Sequence, residues 1–375
     1  MGSWLVRFFV VMVLGASLAG CATRPGPEAL NAMAAAPNAK LVRILVATTR
    51  ERADADTNVF TDGRSRTMNF AEFTVAIPPN HVAGQIELPR SVPDPTRDFV
   101  VVDQAILSKA AFRDRLVLRQ RGKQDVGLFV HGYNYNFQES LFRLAQMAAD
   151  SGQELTPVLF AWPSKASATG YVADKDSAAY SRDDLAELLT VITSNARVGR
   201  VLLAAHSMGG AIAMESLRQL RLGGKNNVIG RLDVVLASPD IDVDLFRKQI
   251  EVVGPLKPPL TLLVAKDDRA LSLSSRIAGE RARAGAVDVS DPRVQEVARN
   301  AKIRVVDIGE VSASNRFNHD RFVQFAALYQ RTGQRSDGDP ADDLQRAGAY
   351  VFRSIGSGSG VFTEVGRASQ YLGLD

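Results

Sequence analysis

Arg200-Val201-Leu202-Leu203-Ala204-Ala205-His206-Ser207-Met208-Gly209-Gly210 carries an apolar run into a serine set among small residues. Ala211-Ile212-Ala213-Met214-Glu215-Ser216-Leu217 then repeats at helical spacing. The reading is a buried strand, a tight turn with Ser207 at its apex, and a helix directly behind it. Such a turn lifts a hydroxyl clear of the backbone and over a helix N-terminus, where N–H groups favour negative charge. Strand and helix pack closely there, so the flanking residues must be small. Ala205 and Gly209 meet that need, with alanine at the position where glycine is usual. The pattern points to a serine nucleophile and hydrolytic chemistry.

Outward from the turn, apolar runs at residues 126–130, 157–161, 201–205, 234–237, 260–265 and 303–308 alternate with helical patterns, among them 137–149 and 177–194. Upstream, residues 41–48, 70–77 and 99–102 are strand candidates. The second partly alternates, as a half-buried antiparallel strand does, and Pro78-Pro79 ends it. Early antiparallel strands followed by repeated βα units predict an α/β fold, a mostly parallel central sheet flanked by helices. The chain has 375 residues, and roughly 300 of them form one large domain on this reading, expected at 39–334. Charge is mixed, with a net of +4. The basic run 113–123 is interleaved with Leu116, Val117 and Leu118 and reads as a solvated face. Nucleic-acid binding needs more clustering and a recognisable module, so no nucleic-acid partner is expected.

The first residues place Arg7 before the apolar stretch 8–14 and close with Leu18-Ala19-Gly20-Cys21. That core is too short to span a bilayer and suits a signal peptide. The pattern resembles a bacterial lipoprotein signal, which implies removal of residues 1–20 and a lipidated Cys21 as membrane anchor. Cys21 is the sole cysteine, so no intramolecular disulfide forms. Ala22 after it, rather than aspartate, favours the outer membrane of a cell envelope, facing the periplasm. Residues 21–38 read as a tether and 335–375 as a flexible tail holding one short helix at 342–355.

A serine needs a base within hydrogen-bond reach and an acid that orients the base. Four histidines are available. His206 adjoins Ser207 on a strand and projects the other way, so it reads as a packing residue. His131 precedes Gly132 and shapes a turn, and His81 lies in a Pro-Asn-His loop without an evident task. His319, after the last strand and opening a final helix, is the candidate base. For the acid, residues 260–265 run into Lys266-Asp267-Asp268. Asp268 is the choice, with Asp267 and the cluster Asp240, Asp242 and Asp244 as rivals. That cluster imitates a calcium loop, but Leu245 stands where glycine is required, and a helix start fits it better. The oxyanion of a tetrahedral intermediate needs backbone donors. Met208 N–H and Tyr133 N–H, the latter in the loop after residues 126–130, are the candidates. The histidines lack paired ligand spacing, so neither a metal nor another cofactor is expected.

Ser207, Asp268 and His319 follow one another in the chain order of the α/β-hydrolase superfamily. Phe129-Val130-His131-Gly132-Tyr133-Asn134, Phe160-Ala161-Trp162-Pro163-Ser164 and the Ala-His-Ser-Met-Gly-Gly turn resemble a bacterial branch of it, esterase- or lipase-like hydrolases of unknown function. Val46-Ala47-Thr48-Thr49-Arg50 and Ile77-Pro78-Pro79 extend the resemblance, which runs over residues 41–331. It implies the α/β-hydrolase fold and serine hydrolysis, and leaves the substrate open. Carboxylic esters are the expected class, as small acyl-containing substrates, because a Ser-His-Asp site handles esters most readily. Peptidase, amidase or thioesterase activity would use the same residues. A non-catalytic envelope lipoprotein that binds through the fold is the alternative of another kind. Residues 164–180, with Ala166, Ala168, Gly170, Tyr171 and Tyr180, are expected to wall the acyl site. Oligomeric state is not legible.

Overall fold

The computed structural model describes residues 24–89, 92–117, 122–313, 317–324 and 350–352. Its strands are β1 (Lys40–Arg52), β2 (Phe60–Ile77), β3 (Val100–Leu107), β4 (Gln124–Val130), β5 (Thr156–Ala161), β6 (Val198–His206), β7 (Leu232–Ala237), β8 (Thr261–Val264), β9 (Arg304–Asp307) and β10 (Tyr350–Phe352). They form one sheet in the order β3-β2-β1-β5-β4-β6-β7-β8-β9-β10. Neighbours from β1 through β9 run parallel, whereas β2, β3 and β10 are added antiparallel at the two ends. This is the expected α/β-hydrolase class of architecture. Successive strands step one way from β4 to β5 and the other way from β4 to β6. The crevice of such a sheet lies outside the carboxyl ends at that reversal.

Eight helices accompany the described strands: α1 (Lys109–Arg115), α2 (Phe137–Ser151), α3 (Tyr171–Ser194), α4 (Met208–Leu222), α5 (Asn226–Ile229), α6 (Val243–Val253), α7 (Arg269–Ile277) and α8 (Pro292–Ala301). Strand alternation divides the core into two layers. On β6, Val201, Leu203 and Ala205 pack into the layer beneath α3, α4 and α6, with Leu185, Leu189, Ile212, Leu217 and Phe246. Ala204 faces the other layer, beneath α2, with Phe137, Leu141, Phe142 and Phe322. Because side chains alternate, His206 follows Ala204 onto that second face. Among the described residues no helix is long and apolar enough to cross a membrane.

Three expectations change in the structure. The stretch assigned to the tether includes Pro27–Leu30, a 3₁₀ turn whose Ala29 and Leu30 are buried in the second layer. Arg24 also bonds Ala166 O and Asn134 Oδ1. Two apolar side chains are enough to dock a short segment on an open core edge. Helix α3 begins at Tyr171, six residues before the expected start, so much of the supposed acyl wall is helix. Its N-cap is Gly170, with no side-chain cap. Buried Asp174, in its first turn, instead accepts bonds from Ser164 Oγ (2.6 Å) and Lys165 N (2.7 Å). Finally, Tyr350–Phe352, placed in a possible helix of the tail, is strand β10 on the edge of β9. Tyr-Val-Phe has high strand preference, and β9 would otherwise present an open edge. The rest of the tail, and the signal segment with Cys21, lie outside the described residues.

Candidate active site

Ser207 sits between β6 and α4 with φ 53° and ψ −122°, backbone angles that a serine adopts only under constraint. Holding a non-glycine residue there costs on the order of 1–3 kcal/mol, supplied by the surrounding packing. Ser207 N donates to Ala237 O (2.9 Å), and Ser207 O accepts from Asp240 N (3.1 Å). Behind the turn, Gly209 has no room for a side chain. A Cβ there would lie 2.5 Å from His131 O and 2.6 Å from Val130 O. Ser207 is 4 % exposed.

His319 and Asp268 are brought together from separate loops, with His319 Nδ1 2.6 Å from Asp268 Oδ2. The carboxylate only accepts here, so Nδ1 carries the proton and Nε2 the lone pair. Asp268 is itself held by its second oxygen. As N-cap of α7, its Oδ1 accepts from Leu271 N at 3.0 Å. Its side chain is 0 % exposed. Burial draws the His319 pKa down, but attraction and hydrogen bonding from Asp268 outweigh it and hold the imidazole above its ordinary value. Ser207 Oγ makes no hydrogen bond to His319 among the described residues; contacts of this kind commonly tighten only with substrate bound.

The rival aspartates have other partners. Asp267 grips both Nη atoms of Arg321 and accepts from Asn318 Nδ2 (3.1 Å), so it ties down the residues on both sides of His319. Asp240 lies beside Ser207 in a buried cluster. It accepts from Tyr171 Oη (2.9 Å) and Ser274 Oγ (2.8 Å), with Arg283 Nε 3.2 Å away but poorly aligned for a hydrogen bond. Asp242 caps α6 through Leu245 N (3.0 Å), the helix start read from the sequence. Asp244 is an exposed first-turn residue of that helix. The Arg321 and Tyr171 contacts had no signal in the sequence, because they join segments far apart in the chain.

The loop after β4 lies against Ser207. A Cβ on Gly132 would stand 2.9 Å from Ser207 Cβ and 2.8 Å from His206 Nδ1, so only glycine permits the approach. His131 locks this loop to β5. Its Nδ1–H donates to Gly132 O (2.9 Å), its Nε2 accepts from Trp162 N (3.2 Å), and Trp162 Nε1 donates to His131 O (2.7 Å). Burial holds His131 neutral, with its pKa pushed down to about 3. Buried Arg50, at the end of β1, donates to Tyr135 O (2.9 Å) and Thr61 O (3.2 Å), fixing the loop from its other side. Tyr133 Oη bonds the carbonyls of Ser167 and Ala168, and its ring meets Tyr171 edge-on at 5.5 Å. Tyr180, expected in the same wall, instead bonds Ser65 O on β2. The backbone N–H groups of Tyr133 and Met208 have no acceptor among the described residues.

The His206 side chain, on the far face of β6, reaches the carbonyl of His319 through Nε2 (3.0 Å). His81 lies apart from all of this, between Glu87 and Asp150. Among the described residues no group of three or more His, Cys, Asp or Glu side chains could hold a metal ion. A strained serine at the β6–α4 turn, a histidine–aspartate pair on later loops and a glycine loop at the β4 end are the features of the α/β-hydrolase resemblance. No match was found among curated proteins. Residues 108–335 match the model of the family described as alpha/beta hydrolase of unknown function (DUF900), and the chain belongs to that family.

Proposed function

We propose that the protein is a serine hydrolase acting on carboxylic esters, with Ser207 as nucleophile, His319 as base and Asp268 as the orienting acid. Family membership supports hydrolase chemistry in general. The observation that carries the finer reading is the Asp268–His319 bond, which commits Nδ1 and leaves Nε2 as proton acceptor. In this mechanism Ser207 Oγ attacks the acyl carbon and its proton passes to His319 Nε2. The negative charge develops on the former carbonyl oxygen, where Tyr133 N–H and Met208 N–H are the proposed donors. Losing one such donor costs about a hundredfold or more in rate. Collapse breaks the ester C–O bond, and His319 returns the proton to the leaving alcohol. Water, deprotonated by His319, then releases the acid from the acyl-enzyme.

Attachment to a cell envelope through lipidated Cys21 belongs to the same proposal, and Cys21→Ser should release the protein from membranes. The test of the chemistry is turnover of short-chain p-nitrophenyl esters, with mass spectrometry of the stopped reaction. An acyl adduct on Ser207 supports the reading. Turnover of anilides or thioesters with inert oxygen esters would contradict the substrate class while keeping the residues. Undiminished ester turnover in Ser207→Ala would contradict the residues.

A further inference from the structure

We propose that His206 is a positioning residue, which holds the backbone of His319 through its Nε2–H and so sets the imidazole at its distance from Asp268. The inference rests on the assignment of His319 as base. Strand alternation turns His206 away from Ser207 and onto the face where residues 319–324 pack. There its ring stacks on Phe322, centroids 4.4 Å apart at 28°, and lies 4.6 Å from the His319 ring. A carbonyl only accepts, so the 3.0 Å contact with His319 O assigns the proton to Nε2. Nδ1 is then a buried lone pair with no partner, facing the close approach of Gly132.

The arrangement matters because of what else holds the His319 segment. Asp267 grips Asn318 and Arg321, which ties that segment to the loop of the acid. His206 ties it to β6, whose next residue is Ser207. Nucleophile and base are thereby referred to one rigid strand, and a displacement of about 1 Å in such a pair can cost a hundredfold in rate. The charged and titratable groups around the two rings agree with these states. Burial, then His319 and Arg143 of α2, oppose a charge on His206 and outweigh the bond to the His319 carbonyl, which favours one. Asp268, Asp240 and Asp320 favour one on His319. A neutral His206 offers the base a fixed donor without competing for its proton.

The experiment uses the full-length chain, in which four histidines make every imidazole assignable by NMR. His206→Phe keeps a ring against Phe322 and removes the donor, whereas His206→Gln restores an N–H of similar reach. In the wild type, His319 should titrate above 6.5, with a downfield Nδ1–H signal. In His206→Phe that signal should weaken and the titration move down toward the free value of about 6.5. His206→Gln should titrate as the wild type. Labelling by a fluorophosphonate should slow by about tenfold or more in the Phe variant and recover in the Gln variant. A folded His206→Phe protein with unmoved His319 titration overturns the proposal. Should that variant not fold, the Gln variant decides alone, and a His319 that titrates there as free imidazole overturns it as well. A wild type that resists labelling would count against the hydrolase reading, while the titration would still decide the role of His206.

Discussion

Two histidines in this molecule sit against carboxylates, and they do different work. His319 commits one nitrogen to Asp268 and leaves the other without a hydrogen bond among the described residues. His81 commits both, Nδ1 to Glu87 (2.8 Å) and Nε2 to Asp150 (2.9 Å), with its ring edge against Phe99. Asp150 lies about 20 Å along α2 from that helix's start at the active-site edge. The two imidazoles share the direction of their shift. For His81 burial lowers the pKa, but bonds from Asp150 and Glu87 raise it further, and the net is upward. A carboxylate partner therefore does not by itself mark a base; in the proposed mechanism the mark is the nitrogen left over to take the proton of Ser207. His81 has nothing left to offer a substrate and serves as a clamp from the loop after β2 to α2.

The largest effect that would sharpen this contrast is Asp268→Asn. It frees the Nδ1 proton and permits the wrong tautomer, so the esterase rate should fall by about 10⁴, with the fold intact by circular dichroism. A loss under tenfold would show that Asp268 does not orient the base. Next comes pH, where the two sites should respond in opposite senses. In the proposed mechanism neutral His319 is the active form, so kcat/KM should rise with pH through a value above 6.5. The His81 clamp has the opposite sign. Its folded pKa is raised, so its stabilisation is complete below about 6.5 and fades as pH climbs through the folded value. Asp150, whose folded pKa is lowered, adds stability above its unfolded value that disappears in acid. Thermal melts should therefore show His81→Gln losing most near pH 5–6, about where the clamp is fully charged, and least at alkaline pH. An equal loss at every pH would break the comparison. Asp267→Asn should matter less, within about tenfold in rate, since it loosens the His319 segment without touching the imidazole. His81→Gln should leave labelling of Ser207 unchanged, the smallest effect in the series.

The site was legible where chemistry and local structure coincide. A serine among small residues between a strand and a helix can form few other turns, and Gly209 shows why, since His131 O and Val130 O occupy the space a side chain would need. Asp267 and Asp268 are harder to tell apart in the sequence, because adjacent carboxylates differ only in where they point. The N-cap of α7 turns Asp268 inward, and Arg321, more than fifty residues later, takes Asp267. In the sequence His206 reads as a packing residue, and its ring does pack. Its bond to His319 O depends on a distant segment folding onto the same face, which alternation alone does not reveal. Similar reasons hid parts of the fold. The outer half of β2, at residues 60–69, is rich in polar residues because it pairs only with the end of β1 and, among the described residues, carries no strand on its other side. Tyr350–Phe352 is too short a strand to announce itself without its partner β9. Leu30 is an isolated apolar residue in a stretch that otherwise reads as linker.

The central claim is that Ser207 is an activated nucleophile, and fluorophosphonate labelling of the wild type beside Ser207→Ala tests it without a choice of substrate. The account predicts a single phosphonylated residue, mapped to Ser207 by peptide mass spectrometry, and no labelling of the folded variant. A folded wild type that resists the probe, or a label that persists in Ser207→Ala, would contradict it.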